Sequence, residues 1–123
     1  MTKWTPPEEG NVRQKLNFDC DSLDRTMYVL ACLFSEYDDI WVRKSPSGRG
    51  HHIVVDAPHS LLKRIMIGDC YGRVKADCAR IKLGLPIGIL FHWKGENGKG
   101  KQASKWVKIK PIDVRGVNVW LNG

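Results

Sequence analysis

Asp39-Ile40-Trp41-Val42-Arg43-Lys44-Ser45-Pro46-Ser47-Gly48-Arg49-Gly50-His51-His52-Ile53-Val54-Val55-Asp56 is the stretch on which the fold turns. Two runs rich in β-branched and aromatic residues flank a segment of serine, proline and glycine. The runs predict strands over 39–43 and 51–56, and the segment between them predicts a tight turn. Strands joined this way pair as an antiparallel hairpin.

Towards the N-terminus, residues 12–18 set Val12, Gln14, Leu16 and Phe18 against Arg13, Lys15 and Asn17. That alternation predicts a strand, although Gln14 interrupts its apolar side. Asp19-Cys20-Asp21-Ser22 follows, with Asp21 or Ser22 as the cap of a helix over 23–36. Leu23, Met27, Leu30, Ala31 and Phe34 have the spacing of one apolar helix face.

Towards the C-terminus, Pro58-His59-Ser60 opens a helix that runs to Ile67 and stops at Gly68. Residues 74–76 read either as a short strand ending at Asp77 or as the start of a helix through Lys82. A strand is predicted over 87–93, a polar glycine-rich loop over 94–105, and a return strand over 106–109 that closes a hairpin. Residues 114–122 add a last candidate strand. The order β-α-β-β-α-β plus a C-terminal hairpin predicts an α+β fold of the ferredoxin-like or RRM-like type. A chain of 123 residues fits one domain over 1–123, with residues 1–11 (Pro6, Pro7, Gly10) as an extended arm.

Lys plus Arg outnumber Asp plus Glu by 20 to 13, a net charge of +7 that suits a polyanionic partner. No secretory leader is legible at the N-terminus, and no run is long and apolar enough to span a membrane. Cys20, Cys32, Cys70 and Cys78 form no C-x-x-C pair, which argues against a zinc knuckle or a redox motif. The expectation is a cytoplasmic protein with reduced thiols, in a host cell's cytoplasm if the source is a virus.

Three features carry chemistry. Asp19 and Asp21 leave a strand end two residues apart, so both carboxylates share a face and a divalent cation would relieve their repulsion. In the turn, Ser47, Gly48, Arg49 and Gly50 let backbone approach a ligand, and consecutive N–H groups can form an anion-binding nest. Arg43, Lys44 and Arg49 add positive charge around it. Asp77, or else Asp69, is the candidate third carboxylate; the alternative is a helix-surface Asp77 paired with Arg80 or Lys75.

Together these residues resemble the three motifs of the archaeo-eukaryotic primase (primase-polymerase) superfamily, in a minimal virus- or plasmid-type form. The first is Leu16-Asn17-Phe18-Asp19-Cys20-Asp21, and the second is Ser47-Gly48-Arg49-Gly50-His51-His52, with His52 as the family histidine. The third is Val74-Lys75-Ala76-Asp77. Asn17, Lys75 and Cys78 depart from the family's more apolar pattern.

The resemblance implies a metal-dependent nucleotidyltransferase that extends a primer on a DNA or RNA template with nucleoside triphosphates. Asp19, Asp21 and Asp77 would hold Mg²⁺ or Mn²⁺, and Asp19, Asp21, Asp77 and His52 would be the catalytic set. Ser47, Gly48, Arg49, Gly50, His52 and Lys94 would bind the nucleotide. Arg43, Lys44, Lys99, Lys101 and Lys105 would hold nucleic acid, with Trp93 and Trp106 as candidate stacking platforms.

One rival is a non-catalytic RRM-like module for single-stranded nucleic acid, although the RRM signature is missing. A rolling-circle replication endonuclease needs two histidines facing one metal. His51 and His52 are adjacent and point to opposite faces, and its candidate nucleophile, Tyr71, is not predicted to sit on a helix.

Overall fold

The computed structural model describes residues 4–7, 12–91, 93–96 and 99–109, with backbone alone for 93–96 and 99–101. Strands β1 (Lys15–Cys20), β2 (Ile40–Lys44), β3 (His51–Pro58), β4 (Trp93–Glu96), β5 (Lys99–Gln102) and β6 (Val107–Ile109) accompany helices α1 (Leu23–Phe34), α2 (Leu61–Ile67) and α3 (Tyr71–Lys82). Among the described residues the architecture is α+β: an open antiparallel sheet in the order β1-β3-β2-β6, three helices, and a separate β4-β5 hairpin. Among the described residues, no helix is long and apolar enough to cross a membrane.

The period of two sorts each strand's side chains. Leu16, Phe18 and Cys20 of β1, Ile40 and Val42 of β2, and Ile53 and Val55 of β3 face α1, whose Val29, Leu30 and Leu33 complete the main core. The other face carries a smaller cluster of Val12, Val54 and Leu90, flanked by Trp4, Trp41 and Trp106. Ser22 caps α1 by accepting Arg25 N–H, which leaves Asp21 outside the helix. Ser60 caps α2, and Gly68 ends it at φ 109°, a left-handed angle that favours glycine.

Several expectations are corrected. β1 begins at Lys15 rather than at residue 12, because Val12 closes a turn by accepting Lys15 N–H at 2.8 Å. Of the two readings of residues 74–82, the helix through Lys82 holds and the strand does not, but helix α3 begins earlier than expected, at Tyr71. The segment 85–91 is no strand: Gly88 N–H donates to Asp77 and Gly88 O accepts from Asn17, so side chains take the place of a ladder. β6 pairs with β2, and the hairpin is formed instead by β4 and β5, which apart from Trp93 fall in the expected 94–105 loop. The 114–122 strand falls outside the described residues. Within the arm, Trp4 sits beneath the Lys15 ammonium, 5.0 Å from the ring centroid.

Candidate functional site

Cross-strand register builds the site. Asp19 is paired with His52 across β1 and β3, and His52 with Arg43 across β3 and β2. The three side chains therefore form a row on the face away from α1. Arg43 Nε donates to His52 Nδ1 at 3.0 Å. A guanidinium only donates, so Nδ1 must be the accepting nitrogen and the neutral ring carries its proton on Nε2. That Nε2 lies 3.8 Å from Asp19 Oδ1. His52 is 3% exposed, yet its edge lines a cleft of about 670 Å³ with Asp19, Asp21, Ser45, Ser47, Arg49 and Arg80.

The β2–β3 turn closes one side of this cleft. Ser45 N–H donates to Gly50 O at 3.0 Å, Gly48 N–H to Ser45 O at 2.9 Å, and Arg49 N–H to Ser47 Oγ at 3.3 Å. Two N–H groups of the expected nest, those of Gly48 and Arg49, thus bond inside the turn, where Ser45 Oγ and Ser47 Oγ also share a hydrogen bond at 3.0 Å, while the Arg49 side chain is exposed. Gly50 is required by contact: a Cβ there would stand 1.9 Å from Cys20 O and 3.0 Å from Asp21 Cα. The turn therefore rests directly on the strand end that carries the acidic pair.

Asp77 does not join that pair. It lies buried on α3, where Oδ2 accepts Arg64 Nη1 at 2.8 Å and Gly88 N–H at 3.1 Å. Its Oδ1 accepts Arg80 Nη1 at 2.9 Å, the i,i+3 partnership that was the alternative reading. Burial opposes its ionisation, but the bonds from Arg64, Gly88 and Arg80 prevail and hold its carboxyl below the usual range. Asp69 is engaged too: Oδ1 accepts Asp19 N–H at 2.8 Å, and Oδ2 accepts Arg64 Nε at 2.8 Å and Arg73 Nη1 at 2.9 Å. Among the described residues, no three His, Cys, Asp or Glu side chains come together to hold a metal. Asp19 and Asp21 both line the cleft, so a cation there would have these two carboxylates, with ligand oxygens completing its shell.

Other assignments also change. Arg43 is 2% exposed, stacked 4.3 Å from the Trp106 ring centroid, so it positions His52 rather than meeting a phosphate. Burial lowers its pKa to about 10, which leaves it charged at neutral pH. Trp106 is committed to that stack and donates Nε1–H to Pro7 O at 3.2 Å. Burial, reinforced by Asp69 and Asp19, pushes the Cys20 thiol up to about 12, which removes it as a nucleophile. Lys44 and Lys105 are exposed and do not line the cleft. The side chains of Trp93, Lys94, Lys99 and Lys101 lie outside the described residues.

Residues that the sequence reading missed complete the far wall: Arg73, Ala76 and Arg80 of α3, with Ile89 and Phe91. The i, i+3, i+7 spacing on α3 was the available signal, legible only once 71–82 is known to be helical.

Comparison with protein-family models, curated proteins and solved structures finds no match.

Proposed function

We propose that this domain binds a nucleoside triphosphate in the cleft and, with a divalent cation, transfers its nucleotidyl group to nucleic acid, as a primase-type core does. The observation that carries the reading is convergence. Asp19 and Asp21 from one part of the chain, and Ser45, Ser47, Arg49 and His52 from another, surround a single volume. The fold is read as ferredoxin-like, with β3 between β1 and β2 and the 85–91 segment near the place of a fourth strand.

Asp19 and Asp21 would hold the cation, which would offset phosphate charge and polarise the α-phosphate. His52 would donate Nε2–H to a phosphate oxygen, held in that tautomer by Arg43. Ser47, Arg49 and Arg80 would bind the remaining phosphates. In the transfer, a primer 3′-hydroxyl forms the new O–P bond at the α-phosphorus, its proton leaves to water, and the α–β phosphoanhydride breaks to release pyrophosphate.

Asp77 favours a second reading. Its engagement by Arg64 and Arg80 leaves two carboxylates where the resemblance implies three. A non-catalytic module for single-stranded nucleic acid needs none of them. Template-dependent incorporation of labelled nucleotide with Mn²⁺ separates the readings. The first expects product from the parent and none from Asp19→Asn/Asp21→Asn. Salt-sensitive oligonucleotide binding without incorporation supports the second, and absence of both binding and incorporation overturns the two together.

A further inference from the structure

We infer that Ala76, Ile89 and Phe91 form a nucleobase wall of this cleft, an inference that rests on the phosphate-binding reading above. Phe91 is 67% exposed and Ile89 39% exposed, and both line the same volume as the anion donors. Large apolar side chains scattered singly over a surface need no explanation. Here they share one wall, with Arg80 beside them and His52, Ser47 and Arg49 also lining the cleft.

The wall is held in place. Asn17 Nδ2 donates to Gly88 O at 3.1 Å, Gly88 N–H donates to Asp77 at 3.1 Å, and Arg73 Nη2 donates to Ile89 O at 3.4 Å. Leu90 is buried against Val12 and Val54. With Leu90 turned into the protein, its neighbours Ile89 and Phe91 are presented to the cleft. Gly88 adopts φ 72°, a left-handed angle, and a Cβ there would stand 3.2 Å from the His59 ring, so this course of the backbone is specific to glycine.

An inorganic polyphosphate has no use for an apolar, aromatic surface. A nucleotide has two unlike ends, one anionic and one flat and aromatic, and the cleft offers both complements. Its volume of about 670 Å³ lies within the range of small-molecule sites. The stacked base can belong to a free nucleotide or to a nucleic-acid strand, because either presents the same π-face.

The test compares ATP, inorganic tripolyphosphate and a short oligothymidylate, each titrated with Mg²⁺ into the parent, Phe91→Ala and Phe91→Trp. The expected result is ATP affinity about 5- to 100-fold weaker in Phe91→Ala, from the usual strength of base–aromatic stacking. Affinity returns in Phe91→Trp, and tripolyphosphate binding is the same in all three proteins. A loss confined to oligothymidylate keeps the wall and assigns it to a strand. If Phe91→Ala binds ATP and oligothymidylate as the parent does while tripolyphosphate still binds, the wall is refuted and the phosphate site stands. A parent that binds none of the three probes removes the phosphate site and the wall with it.

Discussion

Asp69 Oδ1 accepts the backbone N–H of Asp19 at 2.8 Å, on the open edge of β1. The bond ties the strand end that bears the acidic pair to the turn between α2 and α3. Its other oxygen meets Arg64 and Arg73, and Arg73 reaches on to Asn17 O and Asn17 Oδ1. Edge strands leave backbone groups unpaired. On this edge, side chains of α3 and the preceding turn supply the partners. Asp69 and Asp77 therefore act as struts, and Asp19 and Asp21 remain as the candidate ligands.

Asp77→Ala is expected to destabilise the domain by about 2–3 kcal/mol, because Arg64 Nη1 and the Gly88 N–H lose their buried acceptor while Asp69 still pairs with Arg64. Asp21→Asn, at an exposed position, is expected to leave urea unfolding unchanged while weakening Mn²⁺ binding, read by water proton relaxation. Mn²⁺ binding lost in a folded Asp77→Asn variant but retained in Asp21→Asn would reverse these roles.

Gly50 and Gly48 should separate contact from conformation. Gly50→Ala drives its Cβ into Cys20 O, so the turn must lift from Asp21 and nucleotide affinity should fall along with stability. Gly48 has φ 76° and open space around it, so Gly48→Ala should cost only about 1–2 kcal/mol of backbone strain. Paired denaturation curves and ATP titrations decide this, and equal effects at both positions would count against the contact argument.

The tautomer of His52 is open to direct measurement. Long-range ¹H–¹⁵N NMR at neutral pH should place the proton on Nε2, with Nδ1 in the unprotonated range. Arg43→Met should mix the tautomers and weaken ATP binding although residue 43 does not line the cleft. An unchanged imidazole pattern in that variant would sink the positioning role.

Acidification should lower stability in two stages. Burial, then the charge of Lys44, holds the His51 pKa below its ordinary value. Burial, then Arg64 and Arg73, does the same for His59, whose Nε2 accepts Arg64 Nη1 at 3.1 Å. The folded values lie below the unfolded one, so stability is complete above about pH 6.5 and falls as the unfolded chain takes up protons first. Asp77 adds a second loss below about pH 4, since its folded carboxyl is also depressed. Thermal unfolding across pH should show both stages, and His51→Gln/His59→Gln should flatten the upper one.

Local chemistry was legible without the fold. Ser60 and Gly68 bracket α2 because a cap needs only a hydroxyl a few residues from an N–H and a residue tolerant of positive φ. The 40–58 hairpin follows from two apolar runs around a serine–glycine turn. His51 and His52 take opposite faces because side chains alternate along a strand whatever surrounds it, so that His51 turns to Thr26; the register of β1 against β3 then sets Asp19 beside His52. Only tertiary structure assigned Asp69, Asp77, Arg43 and Phe91 their places. Asp69 finds Asp19 across 50 residues of chain, and Arg73 finds Asn17 across 56, separations that no periodicity encodes. A carboxylate reads the same in a sequence whether it awaits a cation or already holds a guanidinium. What separates the two is the distance to a partner, and the packing of α2 and α3 beside β1 sets that distance.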